Sequence, residues 1–223
     1  MSISTWSITR QSMILWEGDS KSDPAFPYQM LNTLFNAVTY NYRLPETVNG
    51  QIRYTHPTVV NKAVNGSRIS DVNGRIASEL TQNQYTHVVL CIGTNERTVV
   101  RANTQSDISS LMSKFTTQQL LVIGPYAWGE KYPSGQNDVA GANDQRLDET
   151  DTDLSTLVPA GYANSLYISL RTTLYAVTMP PLNQPPPGVT SGPFTTPDTS
   201  GAHDNGTSRL AVYNLIKPSI NFG

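Results

Sequence analysis

One cysteine, few charged residues and no long apolar run mark this 223-residue sequence, and each scarcity excludes something. A lone Cys91 forms no internal bridge, so no disulfide framework holds the chain. It sits within Val88-Val89-Leu90-Cys91-Ile92, where a small buried hydrophobe is expected rather than a reactive thiol. Charged residues make up 14% of the chain, the net charge is −2, and no Lys/Arg cluster stands out. A nucleic-acid partner is therefore not expected. No apolar stretch approaches the roughly 18 residues of a spanning helix, so no membrane span is expected. Met1 to Trp16 lack a basic segment followed by an apolar core, so no signal peptide is expected and the chain reads as soluble. The compartment and oligomeric state stay open. Neither a zinc-ligand spacing nor a Gly-Lys-Ser/Thr phosphate loop occurs, and neither metal nor cofactor is expected.

Ser, Thr, Asn, Gly and Pro are plentiful, which suits a neutral, loop-rich surface and contact with carbohydrate or other uncharged polymers. The length fits one α/β domain over 1–223 with a core large enough to need no staples. Short apolar runs alternate with helical patterns, the signature of a parallel sheet. Met13 to Trp16, Thr58 to Val60, His87 to Ile92 and Leu120 to Ile123 are expected strands, with a fifth near Ala176-Val177. Expected helices cover Tyr28 to Val38, a segment capped by Ser70-Asp71, Asp107 to Phe115, Gly161 to Tyr175 and Thr207 to Ile216. Polar loop insertions are expected near 130–153, rich in Gly, Asn and Asp, and near 179–197, where proline density forbids a central strand or helix.

Polar punctuation follows the strands. Three of the four clear ones run into Gly18-Asp19-Ser20, Asn65-Gly66-Ser67 and Gly93-Thr94-Asn95. In an open parallel sheet the carboxyl ends share one edge, where ligands bind. Ser20, Gly66 and Asn95 should therefore meet. Asp198 and His203 precede the last helix and are placed to close over that edge.

Gly18-Asp19-Ser20 resembles the first sequence block of the SGNH (GDSL-like) hydrolases. Asn65-Gly66-Ser67 matches the glycine of the second block, and Gly93-Thr94-Asn95-Glu96 is similar to the third. His203, followed by Asn205 and Gly206, resembles the last. The four occur in order and span nearly the whole chain. The resemblance implies a three-layer α/β/α fold with a central parallel sheet, flavodoxin-like, and a serine esterase without a cofactor.

Ester chemistry asks for the same groups: a nucleophile, a base and donors for the oxyanion. Ser20, on a tight turn after a strand, supplies the hydroxyl and its own N–H. Gly66 has no side chain to obstruct its N–H, Asn95 adds an amide, and His203 can take the Ser20 proton. One departure stands out. The family places its aspartate three residues before the histidine, and that position here is Ser200. Asp198 stands five before, in Asp198-Thr199-Ser200-Gly201-Ala202-His203. Either Gly201 lets the loop bulge so that Asp198 reaches the imidazole, or Ser200 or a backbone carbonyl orients the ring.

Blander readings exist for each residue. Gly-Asp-Ser is ordinary turn chemistry, Gly66 is a residue suited to positive φ, and Asn95 is a helix-capping type. His56 before a proline and His87 opening a strand are expected to be structural. The acidic run Asp144 to Asp153 lacks the glycine and terminal glutamate of a calcium loop, and a helix cap or solvated face is expected. The expected function is hydrolysis of carboxylic esters on a small-molecule or polysaccharide substrate, with short acyl groups such as O-acetyl on carbohydrate preferred. Two alternatives stand: a lipase or thioesterase for longer chains, and an impaired carbohydrate-binding or structural accessory domain on a viral tail or cell surface.

Overall fold

A strand buried on both faces is built mainly from apolar residues, and the segments from Met13, His87 and Gln119 each carry such a run. The computed structural model of the chain describes residues 3–20, 22–23, 34, 38, 44–49, 51–55, 57–125, 142–170 and 213–222. In chain order its strands are β1 (Trp6–Ile8), β2 (Met13–Gly18), β3 (Leu44–Val48), β4 (Gln51–Thr55), β5 (Thr58–Asn61), β6 (His87–Cys91), β7 (Gln119–Ile123), β8 (Ser165–Ile168) and β9 (Ile220–Phe222). The helices are α1 (Ile69–Gln82), α2 (Arg101–Met112) and α3 (Ala142–Gly161).

Five strands form the central sheet in the order β5-β2-β6-β7-β8, every neighbouring pair parallel. Counted along the chain, that is the flavodoxin-like order 2-1-3-4-5, whose switch point lies between β2 and β6. Strand alternation sorts the core into two layers. Leu15, Val88, Leu90, Leu120 and Val122 pack against Ile69, Val72 and Ile76 of α1, Ile108, Leu111 and Met112 of α2, and Leu154 and Val158 of α3. Ile14, Trp16, Val89, Cys91, Leu121 and Ile123 face the other way, onto Trp6, Ile8, Leu34, Val38, Leu170, Ile216 and Ile220. Leu34 and 213–216 are helical, and β1 pairs with β9 on this side. The result is a three-layer α/β/α sandwich around a parallel sheet, and Cys91 is buried within it. Among the described residues no helix is long and apolar enough to cross a membrane.

The four strands expected from apolar runs are present and α1 covers its expected segment, whereas α2 begins earlier, at Arg101, and ends at Met112, three residues short of the expected Phe115. Three further expectations differ from the structure, and a fourth falls where the structure is not described. The segment 165–168, expected within a helix from Gly161 to Tyr175, is the fifth sheet strand, edge strand β8. The expected strand at Ala176-Val177 lies outside the described residues. The expected loop over 130–153 is helical from Ala142, because α3 buries a mixed stripe of Leu147, Thr150, Asp151, Leu154 and Val158. Two polar members hide the helical period that an all-apolar stripe would have displayed. Finally, Ser70 lies inside α1 instead of capping it. Asp71 reaches back, its carboxylate accepting the Arg68 N–H at 2.8 Å. Most of 28–38, all of 179–197 and the segment 207–212 lie outside the described residues.

Candidate active site at the switch point

The loop after β2 is shaped by one close approach. Gly18 has φ 154°, and a Cβ there would run into the carbonyl oxygen of Cys91 on β6, so the two backbones touch only because position 18 is glycine. Asp19 N–H donates to that carbonyl at 3.2 Å. The chain then turns: the N–H groups of Ser22 and Asp23 both donate to Asp19 C=O at 3.0 Å. Ser20 sits on this turn, 5% exposed, just beyond the carboxyl end of β2.

A second turn docks onto the first. Past β5, Val64 N–H donates to Gly18 C=O at 3.1 Å, and Ser67 N–H closes a four-residue turn on Val64 C=O at 3.2 Å. Gly66 takes the third position with φ 78°, the left-handed conformation a type II turn requires there. A Cβ on Gly66 would meet nothing within 4 Å, so its glycine serves the backbone conformation and not a crowded neighbour. Asn65 N–H donates to Asp23 Oδ2 at 2.7 Å, tying this turn directly to the Ser20 loop. Among the described residues the Gly66 N–H has no hydrogen-bond partner.

The third loop arrives from β6. Gly93, with φ 104°, leads into a 3-10 turn over Thr94–Thr98. Asn95 on that turn is half-buried, and its Nδ2 donates to Ser67 C=O at 3.0 Å. That bond uses one of the two amide hydrogens. Ser20, Gly66 and Asn95 are thus brought to one sheet edge through Gly18–Val64, Asp23–Asn65 and Asn95–Ser67 bonds, as the strand-end pattern implied.

Two buried carboxylates frame this junction, and the sequence reading assigned neither a role. Glu96, fully buried, accepts the Ile69 N–H at the start of α1 through Oε1 (2.7 Å) and the Thr104 hydroxyl through Oε2 (3.4 Å). Burial raises its pKa above the ordinary carboxylate value, against the lowering effect of the Ile69 bond. A carboxylate beside a helix start also favours the positive end of the helix dipole. Glu17, on β2, is fully buried and held by Arg75 of α1: Nε lies 3.1 Å from both carboxylate oxygens and Nη2 2.7 Å from Oε2. Burial again pushes its pKa up, opposed by the Arg75 hydrogen bond and charge. The same guanidinium donates to Ser67 Oγ at 3.1 Å and to Gly18 C=O at 3.3 Å. One signal was available: a glutamate ending an otherwise apolar strand demands a buried partner.

His203, Asp198, Ser200 and His56 lie outside the described residues. His87 is at the amino end of β6, the opposite edge of the sheet from Ser20. Its Nε2 donates to Ser7 C=O at 2.6 Å, its Nδ1 lies 2.8 Å from Thr86 Oγ1, and its ring meets Trp6 edge-on. Burial lowers its pKa, against the raising effect of the Ser7 bond, and its ring contacts give it a structural place in the fold. The acidic run is committed elsewhere: Asp151 accepts from the Tyr167 and Ser169 hydroxyls, and Asp153 from Arg101 and Gln105. Among the described residues no three His, Cys, Asp or Glu side chains cluster as metal ligands would.

No family model matches the sequence, and no curated protein does. Solved structures do match in shape. A catalytic serine-to-alanine mutant of Axe2, an acetylxylan esterase from Geobacillus stearothermophilus, superposes with a TM-score of 0.63 at 15% identity, covering 100% of this chain and 98% of that one. TesA gives 0.60 at 13% identity, covering 93% and 97%. The esterase EstA from Pseudoalteromonas sp., inhibited by monoethylphosphonate, gives 0.52 at 14%, covering 94% and 96%. The chain has the SGNH hydrolase fold of these neighbours.

Proposed function

We propose that this chain is a serine esterase that hydrolyses carboxylic esters, with Ser20 as nucleophile and His203 as base. The observation that carries the reading is the convergence of the Ser20, Gly66 and Asn95 turns at the switch point of the sheet. Three donors then meet one developing oxyanion: the N–H groups of Ser20 and Gly66 and the second Nδ2 hydrogen of Asn95. His203 removes the Ser20 proton as Oγ attacks the ester carbonyl, and the carbonyl π pair moves onto oxygen. Collapse expels the alcohol, which takes the proton from His203, and leaves an acyl-Ser20 ester. Water, deprotonated by His203, attacks that ester, and collapse breaks the acyl–Oγ bond, releasing the acid as His203 returns the proton to Ser20 Oγ. Asp198 accepts the His203 Nδ1 hydrogen bond and stabilises the imidazolium.

For substrate, the low charge and polar composition favour a short acyl group such as O-acetyl on carbohydrate. The acetylxylan esterase among the neighbours points the same way. The test combines two assays. A phosphonate serine probe should label the wild-type chain at Ser20 and leave Ser20→Ala unlabelled. Chromogenic esters of graded acyl length should then show turnover that falls as the chain lengthens beyond acetyl. Labelling at a different serine refutes the nucleophile, and a maximum at long acyl chains assigns a lipase or thioesterase instead.

A further inference from the structure

Besides the Asp23–Asn65 bond, the two turns that would hold nucleophile and oxyanion are bridged by a side chain of α1 that contacts neither Ser20 nor Gly66. Arg75 reaches from the second turn of α1 to three acceptors: the Glu17 carboxylate, Gly18 C=O and Ser67 Oγ. Gly18 lies two residues before Ser20, and Ser67 one after Gly66. Gly18 C=O also receives the Val64 N–H, so a single carbonyl binds both the helix and the second turn. Ser67 is gripped from two sides, Oγ by Arg75 and C=O by Asn95. Glu17 fixes the guanidinium plane by accepting both Nε and Nη2, which leaves Nη1 aimed at Ser67. A planar fork can meet three acceptors at fixed angles, and the point charge of a lysine cannot.

We propose that Arg75, oriented by Glu17, is a positioning residue that sets the separation between the Ser20 turn and the Gly66–Asn95 oxyanion donors. It acts through Gly18 and Ser67 and makes no contact with substrate. The inference rests on the esterase reading above. Stability alone is a poor explanation for the arrangement, because a buried ion pair commonly contributes little over apolar residues of similar volume. The ion pair by itself would also need neither the Gly18 nor the Ser67 bond.

The experiment compares full-length wild type with Arg75→Lys, Arg75→Ala and Ser67→Ala, and with Arg101→Met as a control ion pair on α2 and α3. Each is assayed on one short-chain ester below its own unfolding temperature. Misplacement by a fraction of an ångström to 1 Å should lower kcat about 10–100-fold in both Arg75 variants with KM unchanged. Phosphonate labelling of Ser20 should slow in parallel, and Arg101→Met should keep wild-type kcat. Millimolar guanidinium ion should restore part of the kcat of Arg75→Ala, a rescue that a merely structural loss would not display. Folded Arg75 variants with wild-type kcat overturn the inference. Where they do not fold, Ser67→Ala decides: it deletes one acceptor of Arg75, and an unchanged kcat refutes the positioning role while a several-fold fall supports it. A wild-type chain that neither labels at Ser20 nor turns over any ester refutes the esterase reading itself, and is told apart by that first row of data.

Discussion

Replacing Asn95 with alanine removes two hydrogen-bonding roles that differ in size, and the difference is measurable. The first is the 3.0 Å bond from Nδ2 to Ser67 C=O, which joins the third loop to the second. Asn95 is half-buried, so water partly replaces what is lost, and such a bond contributes about 0.5–1.5 kcal/mol to stability. For a chain of this length, 1 kcal/mol corresponds to a shift of about 2–4 °C in Tm. In the proposed mechanism the second role exists only in the transition state, where the other Nδ2 hydrogen would meet the oxyanion. Losing one preorganised donor of three costs about 2.7–4 kcal/mol, or 10²–10³ in kcat. Asn95→Ala should therefore melt within a few degrees of wild type while losing nearly all turnover, with KM little changed. The assay is kcat and KM on a chromogenic acetyl ester beside a calorimetric Tm. A rise in KM with kcat intact would make Asn95 a substrate-binding residue. A Tm drop far larger than that range, with kcat preserved at low temperature, would make it a structural pin alone.

Two further predictions concern the histidines. Asp198→Asn, assayed against Ser200→Ala on the same ester, should lower kcat about 10–10³-fold, less than the roughly 10⁴-fold seen in a serine protease where the aspartate alone sets the tautomer. Near-wild-type activity in Asp198→Asn with a loss in Ser200→Ala would transfer the orienting role to Ser200. For His87 the sign follows from its depressed pKa: the unfolded chain takes up the proton first as pH falls below about 6.5, so stability declines with acidification through that window. Melting curves between pH 7.5 and 5 should show this loss in wild type and a shallower one in His87→Gln. Equal slopes would place the acid sensitivity elsewhere.

How far the fold could be read from the chain depended on how local each signal was. The segments around Met13, Thr58, His87 and Gln119 declare themselves because a strand in a parallel sheet is apolar over its own few residues. The helix α3 does not, since Thr150 and Asp151 occupy its buried stripe, and their acceptability rests on a backbone carbonyl of the same helix and on Tyr167 and Ser169. Strand β8 was hidden for a related reason: Ser165-Leu166-Tyr167-Ile168 lies at a sheet edge, with three of its four residues only partly buried, and carries too short a run to outvote the helical pattern around it.

The candidate site divides along the same line. Ser20, Gly66 and Asn95 were legible because each follows a strand, and the parallel arrangement of strands obliges their ends to share an edge. Positive φ at Gly66 and Gly93, and the contact that only glycine allows at Gly18, are local backbone requirements that the residue type itself announces. Only tertiary structure decided what holds those turns in register. Arg75 meets Glu17 across 58 residues, Ile69 meets Glu96 across 27 and Asn95 meets Ser67 across 28. No periodicity encodes such pairs: a buried charge states that it needs a partner, and the packing of α1 against the sheet chooses which one.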